Sequence, residues 1–263
     1  MTTGDFKVII LGSGTSTGVP VPGCSCTVCL SSSSRNSRTR CSILLSWGGR
    51  NILVDTSTDL RQQALRESIA RIDAVLFTHT HADHVNGIDD LRPFNMASGT
   101  AIPIFGSPET IAVIRRNFGY IFDENLEPGY RPRLVTREIH TPFELFGHTV
   151  EPLPLVHGKG RSLGYRFGPF AYLTDCNDIP EETERRLHDL EVLLIDGLRF
   201  RPHRTHFNIP QALATAARLK PRRTLLTHLS HDVDHDRHTS ILPAGAEFAF
   251  DGQQLKFCWG GGA

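Results

Sequence analysis

Thr78-His79-Thr80-His81-Ala82-Asp83-His84 is the stretch on which the fold turns, and it is entered directly from the apolar run Ala74-Val75-Leu76-Phe77. Three imidazoles and a carboxylate at the mouth of a buried strand gather polar groups where each unsatisfied one costs about 1–3 kcal/mol. Imidazole and carboxylate without thiolate suit zinc, manganese or iron, and a free position on such a metal activates water. The stretch reads as a metal site rather than as a polar loop with coincidental histidines.

Working outward, short apolar runs repeatedly end in one metal-competent residue. Phe77-Thr78 enters His79, Leu155-Val156 enters His157, Leu173-Thr174 enters Asp175, and Leu226-Thr227 enters His228. In α/β sheets the carboxyl ends of strands gather along one edge, where ligands bind. Any one of these histidines alone reads best as a satisfied core residue, but core packing does not explain four strand ends delivering His or Asp together. The set His79, His81, Asp83, His84, His157, Asp175 and His228 exceeds the three or four protein ligands of one metal. It suits two cations sharing a carboxylate, an arrangement that stabilises both the attacking and the leaving oxygen of a displacement at phosphorus.

A second concentration is Cys24-Ser25-Cys26-Thr27-Val28-Cys29, in a Pro/Gly-rich loop. Thiols this close do not readily pair with one another, because a disulfide needs particular Cα separations. With no secretory signal in view they read as metal ligands. A closed zinc site takes four ligands, so the fourth comes from elsewhere. Cys41, Cys176 and Cys258 are scattered and read as small buried hydrophobes. The glycines of Gly12-Ser13-Gly14-Thr15-Ser16-Thr17-Gly18 miss the dinucleotide-binding spacing by one, and the Val-Pro-Val-Pro run that follows cannot start the helix such a site requires. They are assigned to a tight strand exit.

Bulk properties narrow the field. The chain has 263 residues, with 28 acidic and 28 basic side chains. No strongly basic field favours nucleic acid as partner. The apolar runs are strand-sized, so no membrane span is expected. The N-terminus lacks a basic n-region and an h-region, and a cytoplasmic location is expected. With no low-complexity linker, one domain is expected over 1–263.

Periodicity predicts strands at 6–11, 41–45, 51–55, 102–106, 148–156, 162–167, 170–174, 192–196 and 223–227. It predicts helices over 57–69 (Leu60, Ala64, Leu65 and Ile69 on one side), 85–94, 108–118, 181–190 and 208–219. A last hairpin is expected over 248–257 and a floppy tail at 260–262. The segment 119–133, with Tyr120, Phe122, Tyr130, Arg131 and Arg133, reads equally as a lid or a plain surface excursion. His140, His148, His188, His235 and His238 are read as surface or turn residues.

His79-x-His81-x-Asp83-His84, followed by His157, Asp175 and His228, resembles the metallo-β-lactamase superfamily. The resemblance implies an α/β fold, a four-layer αβ/βα sandwich with a dinuclear site at one edge. It places His79, His81 and His157 on one metal, Asp83, His84 and His228 on the other, and Asp175 between them. Gly18-Val19-Pro20-x-x-Gly23-Cys24-x-Cys26-x-x-Cys29 and Leu226-Thr227-His228-Leu229-Ser230-His231 further resemble the PhnP-type phosphodiesterases of the carbon–phosphorus lyase pathway. That family implies a small structural-zinc loop built from Cys24, Cys26, Cys29 and His231, with Cys41 the rival fourth ligand.

The family also implies two catalytic divalent metals (Mn or Zn) and a general acid, His206, with His203 the alternative. The competing reading of His206 is a residue of the helix N-cap region. Asp83 stands in both groups, as ligand and as catalytic carboxylate. Expelling a poor alkoxide needs a protonated group whose pKa lies near the working pH, and imidazole fits. The expected function is hydrolysis of small, including cyclic, ribose phosphate or nucleotide diesters, with homodimers common in the group. Three alternatives share the fold: a tRNA 3′-processing endonuclease, a thioester or lactam hydrolase, and a non-catalytic cofactor-biosynthesis accessory protein with a similar Cys-rich loop. The complete ligand set favours an enzyme, and the neutral charge favours a small substrate.

Overall fold

The computed structural model describes residues 4–123, 125 and 129–259. The expected tail at 260–262 and the side chain of Cys258 lie outside the described residues. Two seven-stranded mixed sheets face each other. The first holds β1 (Gly4–Gly12), β2 (Ser42–Trp47), β3 (Arg50–Val54), β4 (Ala74–Leu76), β5 (Ile102–Gly106), β6 (Leu134–Glu138) and β14 (Gln254–Trp259), in the order β14-β1-β2-β3-β4-β5-β6. The second holds β7 (Phe143–Leu145), β8 (His148–His157), β9 (Gly160–Phe167), β10 (Phe170–Leu173), β11 (Val192–Asp196), β12 (Arg223–Thr227) and β13 (Ala246–Phe248), in the order β13-β12-β11-β10-β9-β8-β7.

The period-2 pattern of the strands sorts the side chains into layers. Along β1, Phe6, Val8 and Ile10 join the apolar layer between the sheets, where they meet Tyr165, Phe170 and Leu194. Ile9 and Leu11 face the other way, into a layer with Leu60, Val85, Ile88 and Ile114 from the helices that cover the first sheet. On the second sheet Leu193, Ile195 and Leu226 pack outward on Ile209, Ala212 and Ala216 of α6 (Ile209–Leu219). Helices on both outer faces of a sheet pair make the four-layer αβ/βα sandwich. Burying both faces explains why the central strands are continuous apolar runs.

Several local expectations shift. The 57–69 helix is only α1 (Leu60–Arg66). Its buried position goes to Gln63, which donates to Thr39 Oγ1 and the Arg40 carbonyl, so Leu65 faces solvent instead of the core. The 85–94 helix breaks into α2 (Ala82–Val85), a 3₁₀ turn and α3 (Arg92–Ser98). The break comes at Gly87, where a Cβ would sit 2.0 Å from the Ser57 carbonyl oxygen. Beyond α4 (Pro108–Asn117), the 181–190 helix shrinks to α5 (Glu181–Glu184). Leu187 and Leu190 still reach the core, from an irregular segment in which Asp189 holds φ 53°. The 248–257 segment is not a hairpin, because β13 pairs with β12 in one sheet and β14 with β1 in the other. His235, in α7 (His235–His238), is buried beside the rings of Phe248 and Phe250, and His148 is half-buried against Trp47; neither is a free surface residue.

Candidate metal centre and active site

The carboxyl ends of β3 and β4 from one sheet and of β8, β10, β11 and β12 from the other meet along one edge. The site therefore draws on both sheets, where strand ends alone had pointed only to a shared edge. Three of the residues that leave these strands, Asp55, Asp175 and His228, hold φ of 64°, 54° and 60°. A left-handed backbone at a non-glycine residue costs about 1–3 kcal/mol and clusters at functional sites. The exit from β4 is also pinned across the sandwich, since Tyr165 Oη donates to the Phe77 carbonyl at 2.6 Å and Leu163 N–H to the Thr78 carbonyl at 2.8 Å.

Ring and carboxylate atoms converge there in overlapping groups. His79, His81, His157 and Asp175 form one and Asp83, His84 and His228 a second, the ligand atoms within each lying no more than 4.8 Å apart, and His206 forms a further such cluster with Asp175 and His228. Asp175 touches both groups. Its Oδ1 lies 3.8 Å from His79 Nε2, 3.9 Å from His157 Nε2 and 3.4 Å from His228 Nε2, while its Oδ2 lies 3.1 Å from His84 Nε2. Asp83 Oδ2 stands 3.3 Å from His84 Nε2. Ligands 2.0–2.1 Å from a tetrahedral cation sit about 3.4 Å from each other, which is the spacing seen here. Among the described residues, His79 Nε2, His84 Nε2, His228 Nε2 and Asp83 Oδ2 are buried with no hydrogen-bond partner. Four such orphans at one point are lone-pair donors that a bound divalent cation would engage.

The outer nitrogens are held by a second tier of groups. Asp55, fully buried, accepts from His84 Nδ1 at 2.7 Å and, at 2.8 Å each, from the Thr78 N–H and hydroxyl. The Thr78 hydroxyl in turn accepts from His79 Nδ1 at 2.9 Å. One carboxylate thus orients a ligand in each group, directly and through Thr78. His157 Nδ1 donates to the Thr205 carbonyl at 2.7 Å. Asp55 reads from sequence merely as the residue that closes a strand; an aspartate at the end of an apolar run was the available signal.

Charge follows the same map. Burial alone would raise Asp83 and Asp175, yet neighbouring imidazoles, His228 and His84 foremost, hold both carboxyls well below their usual range. Burial would lower His84 and His228, but Asp175 with Asp55 lifts the first and Asp175 with Asp83 lifts the second to about 9. Burial lowers His79 and His157. Protons held this way are what a bound cation displaces.

His206 lies in the same cavity, its ring stacked 4.5 Å from that of His228 at 13° and set edge-on to His157 at 4.8 Å. Its Nδ1 donates to Asp196 Oδ2 at 2.7 Å, so the ring is anchored through one nitrogen and Nε2 is the one not held by Asp196. The helix N-cap is Asn208, not His206, and it closes a capping box with Gln211. His203 is exposed, 5.2 Å ring to ring from His206, and outside the cavity wall. The cavity holds about 430 Å³ and is lined by ligands of both groups together with Ser16, Thr80, Arg161, Thr205 and His206. No described residue of 119–133 lines it.

The cysteine loop lies beside this centre. His231 Nδ1 stands 3.3, 3.7 and 3.5 Å from the sulfurs of Cys24, Cys26 and Cys29. For Zn–S and Zn–N bonds of about 2.3 and 2.0 Å, tetrahedral geometry asks for roughly 3.5 Å between S and N. The Cys29 N–H, 3.4 Å from Cys26 sulfur, helps bring that thiol down to about 7. Cys41 lies elsewhere, buried against Thr227 Oγ1 at 3.5 Å, and takes no part. Buried Arg38 ties the loop to the segment carrying His231, donating to the Ser230 and Val233 carbonyls at 3.2 and 2.8 Å.

Among the described residues no helix is long and apolar enough to cross a membrane. Comparison with known proteins agrees with this architecture. The family described as the β-lactamase superfamily domain matches residues 50–229. A crystal structure described as a new diphosphatase from the PhnP family superposes with a TM-score of 0.91 at 40% identity, covering 96% of this chain and 97% of that one. An octanoyltransferase of Porphyromonas gingivalis is 41% identical over 252 residues, 94% of this chain; the chain spans about half of that relative, 51%. Zinc-bound PqqB of Methylobacterium extorquens shares the fold, with a TM-score of 0.77 at 23% identity over 95% of this chain and 99% of that one. With the two facing sheets and the histidine-rich edge between them, the chain belongs to the β-lactamase superfamily, a metallo-hydrolase fold, and within it to the PhnP family.

Proposed function

We propose that the protein is a dinuclear metal-dependent phosphodiesterase acting on small ribose phosphate or nucleotide diesters, cyclic ones included, with the whole chain serving as one hydrolase domain. The observation that carries this reading is His206, held by Asp196, in the wall of the same cavity as six of the seven metal-competent side chains, with the seventh, His84, buried against Asp83 and Asp175. Two divalent cations of zinc or manganese type, when bound, supply charge neutralisation at phosphorus and lower the pKa of water.

The chain's own residues do the rest. His79, His81 and His157 hold one cation, Asp83, His84 and His228 the other, and Asp175 reaches both. Asp83 also presents its carboxylate to the cavity, where it can accept a hydrogen bond from the attacking water. His206, kept in register by Asp196, donates a proton from Nε2 to the departing oxygen, and so spares the reaction a free alkoxide. Cys24, Cys26, Cys29 and His231 hold a structural zinc. The cavity of about 430 Å³ suits a small substrate better than a folded RNA. Kinship with a PhnP-family diphosphatase extends the same displacement to diphosphate links.

The test is His206→Ala assayed with two diesters that differ in leaving group, a p-nitrophenolate and a simple alkoxide. Loss of the acid slows the alkoxide ester about 10²–10⁴-fold and the p-nitrophenyl ester far less, with metal content unchanged. Equal loss on both esters removes His206 from the role of acid.

A further inference from the structure

A second compartment of about 470 Å³ adjoins the catalytic cavity. The two share His79, Thr80 and Arg161, and the second is completed by Ser107, Glu109, Thr110 and Val113 around the start of α4. Neither His206 nor His228 lines it. Arg161, the second residue of β9, is exposed at the junction, near enough to Glu109 across the compartment to help lower that carboxyl. A guanidinium in this position offers planar, charge-assisted donors to a phosphate.

Geometry at phosphorus decides what the compartment is for. In a displacement the entering and leaving oxygens lie roughly in line, so the ester arm that stays on phosphorus projects sideways from that line. With His206 at the leaving oxygen, the retained arm has its room on the His79, Thr80 and Arg161 side. The walls there combine a carboxylate (Glu109), hydroxyls (Ser107 and Thr110) and an apolar patch (Val113). That mixture matches a sugar, which offers hydroxyl donors at its edge and C–H surface on its face.

Resting on the phosphodiesterase reading above, we propose that this compartment receives the retained arm of the substrate, a hydroxylated ribose-like or nucleoside group. Arg161 is the specificity-determining residue at its entrance. During turnover the water oxygen bonds to phosphorus and the bond to the leaving oxygen breaks, its electron pair taking the His206 proton. Of the water's two protons, one restores that of His206 and the other passes to solvent. The monoester product stays on the Arg161 side, with one more negative charge than the diester.

The experiment uses two diesters with the same p-nitrophenolate leaving group. One retains a methoxy group on phosphorus, the other thymidine through its 5′ oxygen. The wild type prefers the thymidine ester in kcat/KM. Val113→Trp, which fills the compartment, and Arg161→Gln, at an exposed position that does not endanger folding, each lower the ratio of the two kcat/KM values roughly tenfold or more, mainly through KM. Glu184→Gln, at the last residue of α5 and outside both compartments, keeps the wild-type ratio. Calorimetry with thymidine 5′-phosphate on Mn²⁺-loaded protein gives a readout free of turnover, and both variants weaken that binding. A ratio and affinity unmoved by both variants overturn the subsite while leaving the diesterase intact. A wild type that cleaves neither ester overturns the reaction itself.

Discussion

Asp55→Asn is the substitution most informative about how the metal centre is built. The native carboxylate accepts three hydrogen bonds, from the Thr78 N–H, the Thr78 hydroxyl and His84 Nδ1, all within 2.7–2.8 Å in a fully buried place. An asparagine of the same shape has one accepting oxygen. If that oxygen faces His84, its NH₂ meets the Thr78 N–H, and if it turns to Thr78, its NH₂ meets His84. Either way one buried donor loses its acceptor, at about 1–3 kcal/mol. His84 and, through the Thr78 hydroxyl, His79 then lose their orientation, so a ligand of each cation is affected. Outer partners of this kind are worth about 10–100-fold in metal affinity, or roughly 1.4–2.8 kcal/mol. The assay is metal content after graded dialysis against a chelator, alongside thermal denaturation. The expected result is earlier release of both metals at a modestly lowered Tm. A variant that loses stability yet holds both metals as tightly as the wild type refutes the orienting role of Asp55.

Other expectations concern stability. Cys24→Ala lowers zinc content by one per chain, measured by atomic absorption, and costs about 5–10 °C in Tm, a few kcal/mol at this chain length. His235 supplies a pH test. Burial foremost, with Arg35 and Arg38 nearby, brings its pKa down to about 4, and Arg35 Nη1 donates to its Nε2 at 3.4 Å. The unfolded chain therefore binds this proton more readily below its pKa of about 6.5. Stability is complete above that pH and falls as the pH drops toward 4, by up to about 3 kcal/mol and less to the extent that water reaches the ring. His235→Gln flattens denaturant midpoints between pH 6.5 and 4 if this is right, whereas an unchanged slope assigns the acid sensitivity to other groups.

Much of the centre is legible in sequence because metal ligation imposes both residue type and spacing. His79, His81, Asp83 and His84 sit in one stretch, and His157, Asp175 and His228 each follow an apolar run that ends at the same edge. The structure lines one cavity with six of them and His206, and buries the seventh, His84, against Asp83 and Asp175. What supports them is not legible in the same way. Asp55 and Asp196 are single aspartates at strand ends, indistinguishable in sequence from residues that merely start a turn, and their partners lie 29 and 10 residues away. Buried His235 reads from sequence as a surface or turn residue because its apolar surroundings, Phe248 and Phe250, come from beyond the local segment. The helices were over-extended where tertiary contacts interrupt them, as at Gly87 against Ser57. The last pair of strands looked like a hairpin because alternation carries no information about which sheet each half joins.

The central claim is chemical, and one panel tests it. Mn²⁺- and Zn²⁺-loaded protein is offered a chromogenic phosphodiester, a 2′,3′-cyclic nucleotide, a phosphomonoester, a thioester and a lactam, with turnover measured for each. Cleavage of the diester and the cyclic nucleotide well above the other three is the predicted result. Turnover of the thioester or the lactam alone would contradict it, leaving the fold and the clustered side chains in place but assigning them to acyl rather than phosphoryl chemistry.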